Sequence, residues 1–331
     1  MTKKQWVIDA ILGKKVEKVP VGFWFHYLED EASNVYEHPE LRLKAIEGHK
    51  EFVEEVHPDF VKLMSDGYFQ YPLPTIKKAD DLRAVLSLPA THEWINDQVL
   101  LVKEQIHQFP EEIAAFYNIF SPVSYLVFGL EHQGLTDVET FLTDVAVNEP
   151  ETFAQAIQAI AQTLKIVVRR LQEETDVTGI YYSTRNIFDD RFTSTRFKTL
   201  LRPADEAILK TSQAAGGINI LHVCGYLGKA NRLADFQDYP VPAVNYAASI
   251  ESLPIEDAQV FFENQTIIGG FDNRKNALLH QANQSAIEKY TKELLEKAPA
   301  TGFIIGADCT LPRDINRAIF DWVRAVQVVN N

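Results

Sequence analysis

The chain has 331 residues, 46 Asp and Glu against 32 Lys and Arg, a formal net charge of −14, and 46% hydrophobic and 24% charged residues. This is the composition of a soluble globular protein, and it excludes a disordered, collagen-like or disulfide-stapled chain. The acidic excess argues against nucleic-acid and anionic-membrane surfaces, which need clustered Lys and Arg, so small molecules and proteins are the expected partners.

Residues 2–12 are expected to form an extra N-terminal helix across the bottom of the fold. Their apolar run is short, broken by Asp9 and not followed by a small-residue cleavage site, so it does not read as a secretory leader. Eight apolar, β-branched or aromatic runs then recur, at 19–25, 59–65, 114–121, 179–184, 218–225, 243–248, 266–272 and 302–308. Helical periodicity lies between and after them, most clearly at 41–56, 152–174, 277–297 and 312–329, with Pro312 suited to a first turn. Strands buried on both faces and joined by helix-length crossovers make a parallel sheet, and eight such units predict a (β/α)8 TIM barrel occupying 1–331 as one domain. An open doubly wound sheet is the alternative, but neither G-x-G-x-x-G nor a Walker A sequence supports it. Two uncharged stretches, 113–130 and 211–228, approach membrane-span length, but both are interrupted by polar residues or glycines and read as strand plus loop.

In such a barrel the chemistry sits where strands end. His26 follows the first strand, Asp66 the second, Asn118 and Ser121 close the third, and Tyr182, Ser183, Arg185 and Asn186 close the fourth. Asn245 lies on the sixth, Asp272 and Asn273 end the seventh, and Asp308 and Cys309 end the eighth. The fifth reads Leu221-His222-Val223-Cys224-Gly225, so alternation turns His222 and Cys224 to one face and the two apolar residues to the other. The chain has two cysteines, Cys224 and Cys309, too few for a disulfide framework and consistent with a reducing cytoplasm. Both reach one rim beside His222, and a His with two Cys is a zinc ligand set with one vacancy, the pattern of a catalytic site. Buried structural cysteines, or a Cys/His nucleophile with Cys309 activated at a helix start near Pro312, are the other readings.

These residues resemble the uroporphyrinogen decarboxylase superfamily over essentially the whole chain. The opening 11–21, Ile268-Gly269-Gly270-Phe271-Asp272, and 302–308 with Pro312 are similar to its fold-level motifs. His222-Val223-Cys224 with the distant Cys309 is similar to its zinc-dependent methylcobalamin:thiol methyltransferase branch, of coenzyme M type. That resemblance implies a zinc cofactor, a small thiol substrate and a methyl-corrinoid presented by a corrinoid protein. Asp66 matches the catalytic aspartate of the decarboxylase branch, and Asp66 and Tyr182 are the expected catalytic residues. His26, Asn245 and Asp272 are the expected substrate-binding or positioning residues, and Asp308 and Glu251 are candidates for a fourth metal ligand. The metal-free decarboxylase is the alternative activity, and a barrel that binds without turnover is a third. Segment 22–30 has no arginine where the decarboxylase branch carries an arginine-rich loop for a polycarboxylate substrate.

Overall fold

The computed structural model describes residues 1–109 and 112–327. Its eight strands are β1 (Val21–Gly22), β2 (Phe60–Leu63), β3 (Ala114–Phe120), β4 (Gly179–Thr184), β5 (Ile220–Val223), β6 (Ala243–Tyr246), β7 (Thr266–Phe271) and β8 (Phe303–Ala307). All pair in parallel, in the order β1-β8-β7-β6-β5-β4-β3-β2. The end strands β1 and β2 meet through side chains. The Val21 amide donates to Asp59 Oδ2 at 2.8 Å, and Gly22 lets the Phe60 ring close the seam, since a Cβ there would stand 2.1 Å from that ring. The result is a nearly closed (β/α)8 barrel.

The helices are α1 (Lys3–Ile11), α2 (Glu40–Val56), α3 (Glu93–His107), α4 (Pro122–His132), α5 (Val138–Asn148), α6 (Pro150–Glu174), the short α7 (Ser194–Arg196), α8 (Arg202–Ala214), the short α9 (Ala248–Glu251), α10 (Ile255–Phe261), α11 (Gln284–Lys297) and α12 (Ile319–Ala325). No helix among the described residues is long and apolar enough to cross a membrane. The N-terminal helix is where the sequence placed it: Val7, Ala10 and Ile11 of α1 pack with Phe60, Ala114, Phe116 and Ile304 and close the barrel floor.

Period-two alternation divides every strand between two cores. Trp24, Phe60, Phe116, Tyr181, Ile220, Ile268 and Ile304 fill the barrel interior, while Leu221, Val223, Ile305 and Tyr182 join the larger core beneath the helices. Each large apolar side chain so buried contributes about 1.5–3 kcal/mol.

Two helix starts differ from expectation. Residues 277–283 form turns, with Asn276 and Ala282 at φ +71° and +51°, and α11 begins only after Asn283 accepts the Ala286 amide at 3.1 Å as its N-cap. Pro312 opens no helix. The Leu311 amide donates to Trp24 O at 2.9 Å in an extended bridge with Phe25, Asn316 Oδ1 accepts from the Ala318 amide, and α12 starts at Ile319. The expected end of that helix, 328–329, lies outside the described residues. Cys309 therefore has no helix N-terminus behind it to favour a thiolate, contrary to the expectation from Pro312.

Candidate metal centre

β5 turns His222 into the barrel beside Ile220, and the chain continues one step in the ladder, with the Cys224 amide donating to Thr184 O at 2.9 Å. Cys309 arrives differently. The strand ends at Ala307, the Asp308 amide donates to Phe271 O, and Asn273 Nδ2 donates to Thr310 O at 3.0 Å, which bends the segment inward. One ligand atom each from His222, Cys224 and Cys309 lies within 4.8 Å of the others. His222 Nε2 and Cys309 Sγ are 3.5 Å apart. A tetrahedral zinc bound through one nitrogen and one sulfur would separate them by about 3.5 Å, so the donors fit the ion.

The histidine is prepared for that role. Asn245 Nδ2 donates to Ile268 O at 2.8 Å and to Ala307 O at 3.0 Å, which fixes its amide and leaves Oδ1 facing His222. His222 Nδ1–H donates to that oxygen at 2.5 Å, so Nε2 keeps its lone pair for the site. A hydrogen bond from Cys224 holds Cys309 well below the ordinary thiol range, helped by His222 and Lys62, and the same bond with burial pushes Cys224 up. The Cys224 carbonyl is fixed by Asn231 Nδ2 at 3.0 Å, and Asn231 is in turn held by Glu251.

The triad opens into a cavity of about 560 Å³. Lys62, Asn118, Ser183, Arg185, Met64 and His26 line it, and Phe69, Phe120 and Phe128 form an aromatic wall with centroid separations of 4.7–5.4 Å.

The expected site residues divide by where their side chains point. His26 lines the cavity, and Asp66 sits behind it: His26 Nδ1–H donates to Asp66 Oδ1 at 2.7 Å, while Asp66 Oδ2 accepts from the Tyr27 amide at 2.8 Å. Burial opposes protonation of His26, but the Asp66 carboxylate outweighs it and raises the imidazole above its ordinary value. Asn245 is fully buried and contacts His222; it is not among the cavity-lining residues. Tyr182 does not reach the cavity. It occupies the outward phase of β4, where its hydroxyl donates to Asp205 Oδ1 at 2.7 Å under the helices, and Tyr181 and Ser183 take the inward positions. Asp272 is also outside, gripped by Arg274 at 2.6 Å and facing a separate groove. Asp308 accepts from the Ala248 and Ser249 amides, and Glu251 holds Asn231, so neither supplies a fourth ligand. Sequence reasoning missed Lys62, whose signal was a lysine at an inward position of an otherwise apolar strand.

A sequence model of the family described as uroporphyrinogen decarboxylase (URO-D) matches residues 60–326. The chain belongs to the uroporphyrinogen decarboxylase family. No curated protein matches it. Among solved structures, a methyltransferase from Methanosarcina mazei superposes with a TM-score of 0.73 at 14% identity, covering 99% of this chain and 98% of that one. A putative vitamin-B12-independent methionine synthase from Listeria monocytogenes matches at TM-score 0.49 and 14% identity, over 92% of this chain and 96% of that one. A B12-independent methionine synthase from Shewanella matches at 0.46 and 10%, over 69% and 65%. At these identities the likeness is one of fold.

Proposed function

We propose that this member of the uroporphyrinogen decarboxylase family is a zinc-dependent methyltransferase that moves a methyl group between a corrinoid and a small thiol. The observation that carries the reading is the His222, Cys224 and Cys309 donor set, within 4.8 Å and open to the cavity, with no fourth protein donor beside it among the described residues. Zinc held there would supply a Lewis acid with a vacant position, at which a thiol is kept deprotonated and, with two cysteine sulfurs offsetting the metal charge, still nucleophilic.

The chain's own residues do the rest. Asn245 fixes the His222 tautomer, Asn273 and Asn231 hold the two cysteine segments, and Phe69, Phe120 and Phe128 exclude water above the site. The methyl-corrinoid would reach the barrel mouth on a partner protein. The name of the Methanosarcina neighbour agrees with this class of reaction. Decarboxylation is less well supported, because both oxygens of Asp66 are engaged by His26 and Tyr27 and neither faces the cavity.

The test is zinc content and methyl transfer from methylcobalamin to simple thiols in protein purified without added metal. About one zinc per chain and thiol methylation are expected, with both lost in Cys224→Ala and Cys309→Ala. A zinc-free protein that releases CO2 from a porphyrinogen, and loses that activity in Asp66→Asn, would contradict it.

A further inference from the structure

Lys62 is the residue of the cavity that the preceding reading leaves without a task. It projects inward from β2, is 5% exposed, and lines the same cavity as the triad. Of the other cations that line the cavity, Arg185 pairs with Glu139, Arg274 with Asp272 and His26 with Asp66, and Lys275 is exposed to solvent. No acceptor among the described residues lies within hydrogen-bond reach of Lys62 Nζ. It meets only two ring faces, Tyr181 at 4.4 Å and Trp24 at 5.3 Å from their centroids. Lys62 Nζ thus opens onto the cavity with no protein acceptor, in a position to receive an anion that arrives with the ligand.

The charges around the triad say which anion. A divalent zinc with two cysteine thiolates and a neutral imidazole sums to zero, and one further thiolate leaves the site at −1 inside an apolar, aromatic-walled space. We propose that Lys62 is the counter-charge for the anionic sulfur of the thiol substrate, a positioning residue that makes the cavity select thiolates over uncharged ligands. This rests on the zinc and thiol reading above. Burial pushes the ammonium of Lys62 down to about 8, partly offset by the charges of Cys309, Cys224 and Asp66. The Tyr181 ring that Lys62 Nζ faces at 4.4 Å also stands 6.1 Å from the His222 ring, so the cation and the histidine of the triad share one aromatic neighbour.

The test is calorimetric titration of the zinc-loaded full chain, at one fixed pH, with 2-mercaptoethanol and 3-mercaptopropionate, comparing wild type with Lys62→Met and Lys62→Gln. Zinc content and melting temperature are measured on the same samples. Both variants are expected to keep their zinc and to bind both thiols more weakly by the same factor, at least about tenfold, the ratio equivalent to one pKa unit of charge interaction. Unchanged affinity in a zinc-loaded variant overturns the assignment. So does a loss confined to 3-mercaptopropionate, which would put Lys62 at the far end of the substrate. A wild-type protein that holds zinc but binds neither thiol, or holds no zinc at all, overturns the functional reading itself and this assignment with it, whereas a variant that matches a thiol-binding wild type overturns Lys62 alone.

Discussion

Asn245 shows how much of the candidate metal centre depends on residues that do not line the cavity. Its amide is held by two main-chain oxygens, and through that constraint it sets which nitrogen of His222 is free. Asn245→Ala is expected to weaken zinc binding about 10- to 100-fold in chelator competition, with the fold retained. Unaltered zinc affinity would contradict this role. Tyr182 gives the converse case. Tyr182→Phe removes a buried hydrogen bond to Asp205, so a loss of about 1–2 kcal/mol in denaturant unfolding is expected, while zinc content and thiol binding stay at wild-type values. That His222 and Cys224 share a face was legible in the sequence because His222-Val223-Cys224 continues one strand, where alternation alone decides the face. Tyr182 was misread because two adjacent tyrosines on β4 offer both phases, and only the inward packing of Tyr181 against Trp24 selects between them. Asn245 and Asp66 were noticed as polar strand-end residues, yet their supporting roles depend on partners 23 and 40 residues away, which no local pattern encodes.

At the scale of elements, the contact of α8 with the outer faces of β4 and the following loops holds an ionisable group. Asp205 accepts from Tyr182 and Tyr239 at 2.7 and 2.9 Å, and more distantly from Thr184, and burial pushes its carboxyl up to about 7 against those donors. In the unfolded chain the same carboxyl ionises near pH 4. Between about pH 4 and pH 7 the unfolded state therefore holds fewer protons than the folded one, and stability falls as pH rises through that window. The melting temperature of wild type relative to Asp205→Asn should decline from pH 4.5 to 7; parallel curves would contradict the shift. The barrel seam is a second element-level device. Gly22→Ala places a Cβ against the Phe60 ring and is expected to cost about 1–3 kcal/mol in unfolding free energy; an unchanged value would contradict the close seam. Helix starts were the least legible feature. Amphipathic periodicity extends back through 277–283, but left-handed residues at Asn276 and Ala282 stop the helix there, and the bridge between Leu311 and Phe25 keeps the chain after Pro312 from coiling.

For the whole molecule, eight parallel strands around an aromatic and aliphatic interior were visible in the sequence, since strands covered on both faces leave continuous apolar runs. What the runs could not convey is how the interior changes along the barrel axis. α1 and the large rings of Phe60 and Phe116 close the floor, and above them the polar inward residues Lys62, Asn118, Ser183 and His222 begin the cavity. That division puts the three soft donors at the boundary between packed core and open cavity, where they can be held rigidly and still be reached. X-ray absorption at the zinc edge, on protein purified without added metal, tests this arrangement most directly. About one zinc per chain is expected, bound by two sulfurs at about 2.3 Å and one imidazole nitrogen at about 2.0 Å, with a further sulfur when a thiol is added. Absence of zinc, or a shell without sulfur, would contradict it.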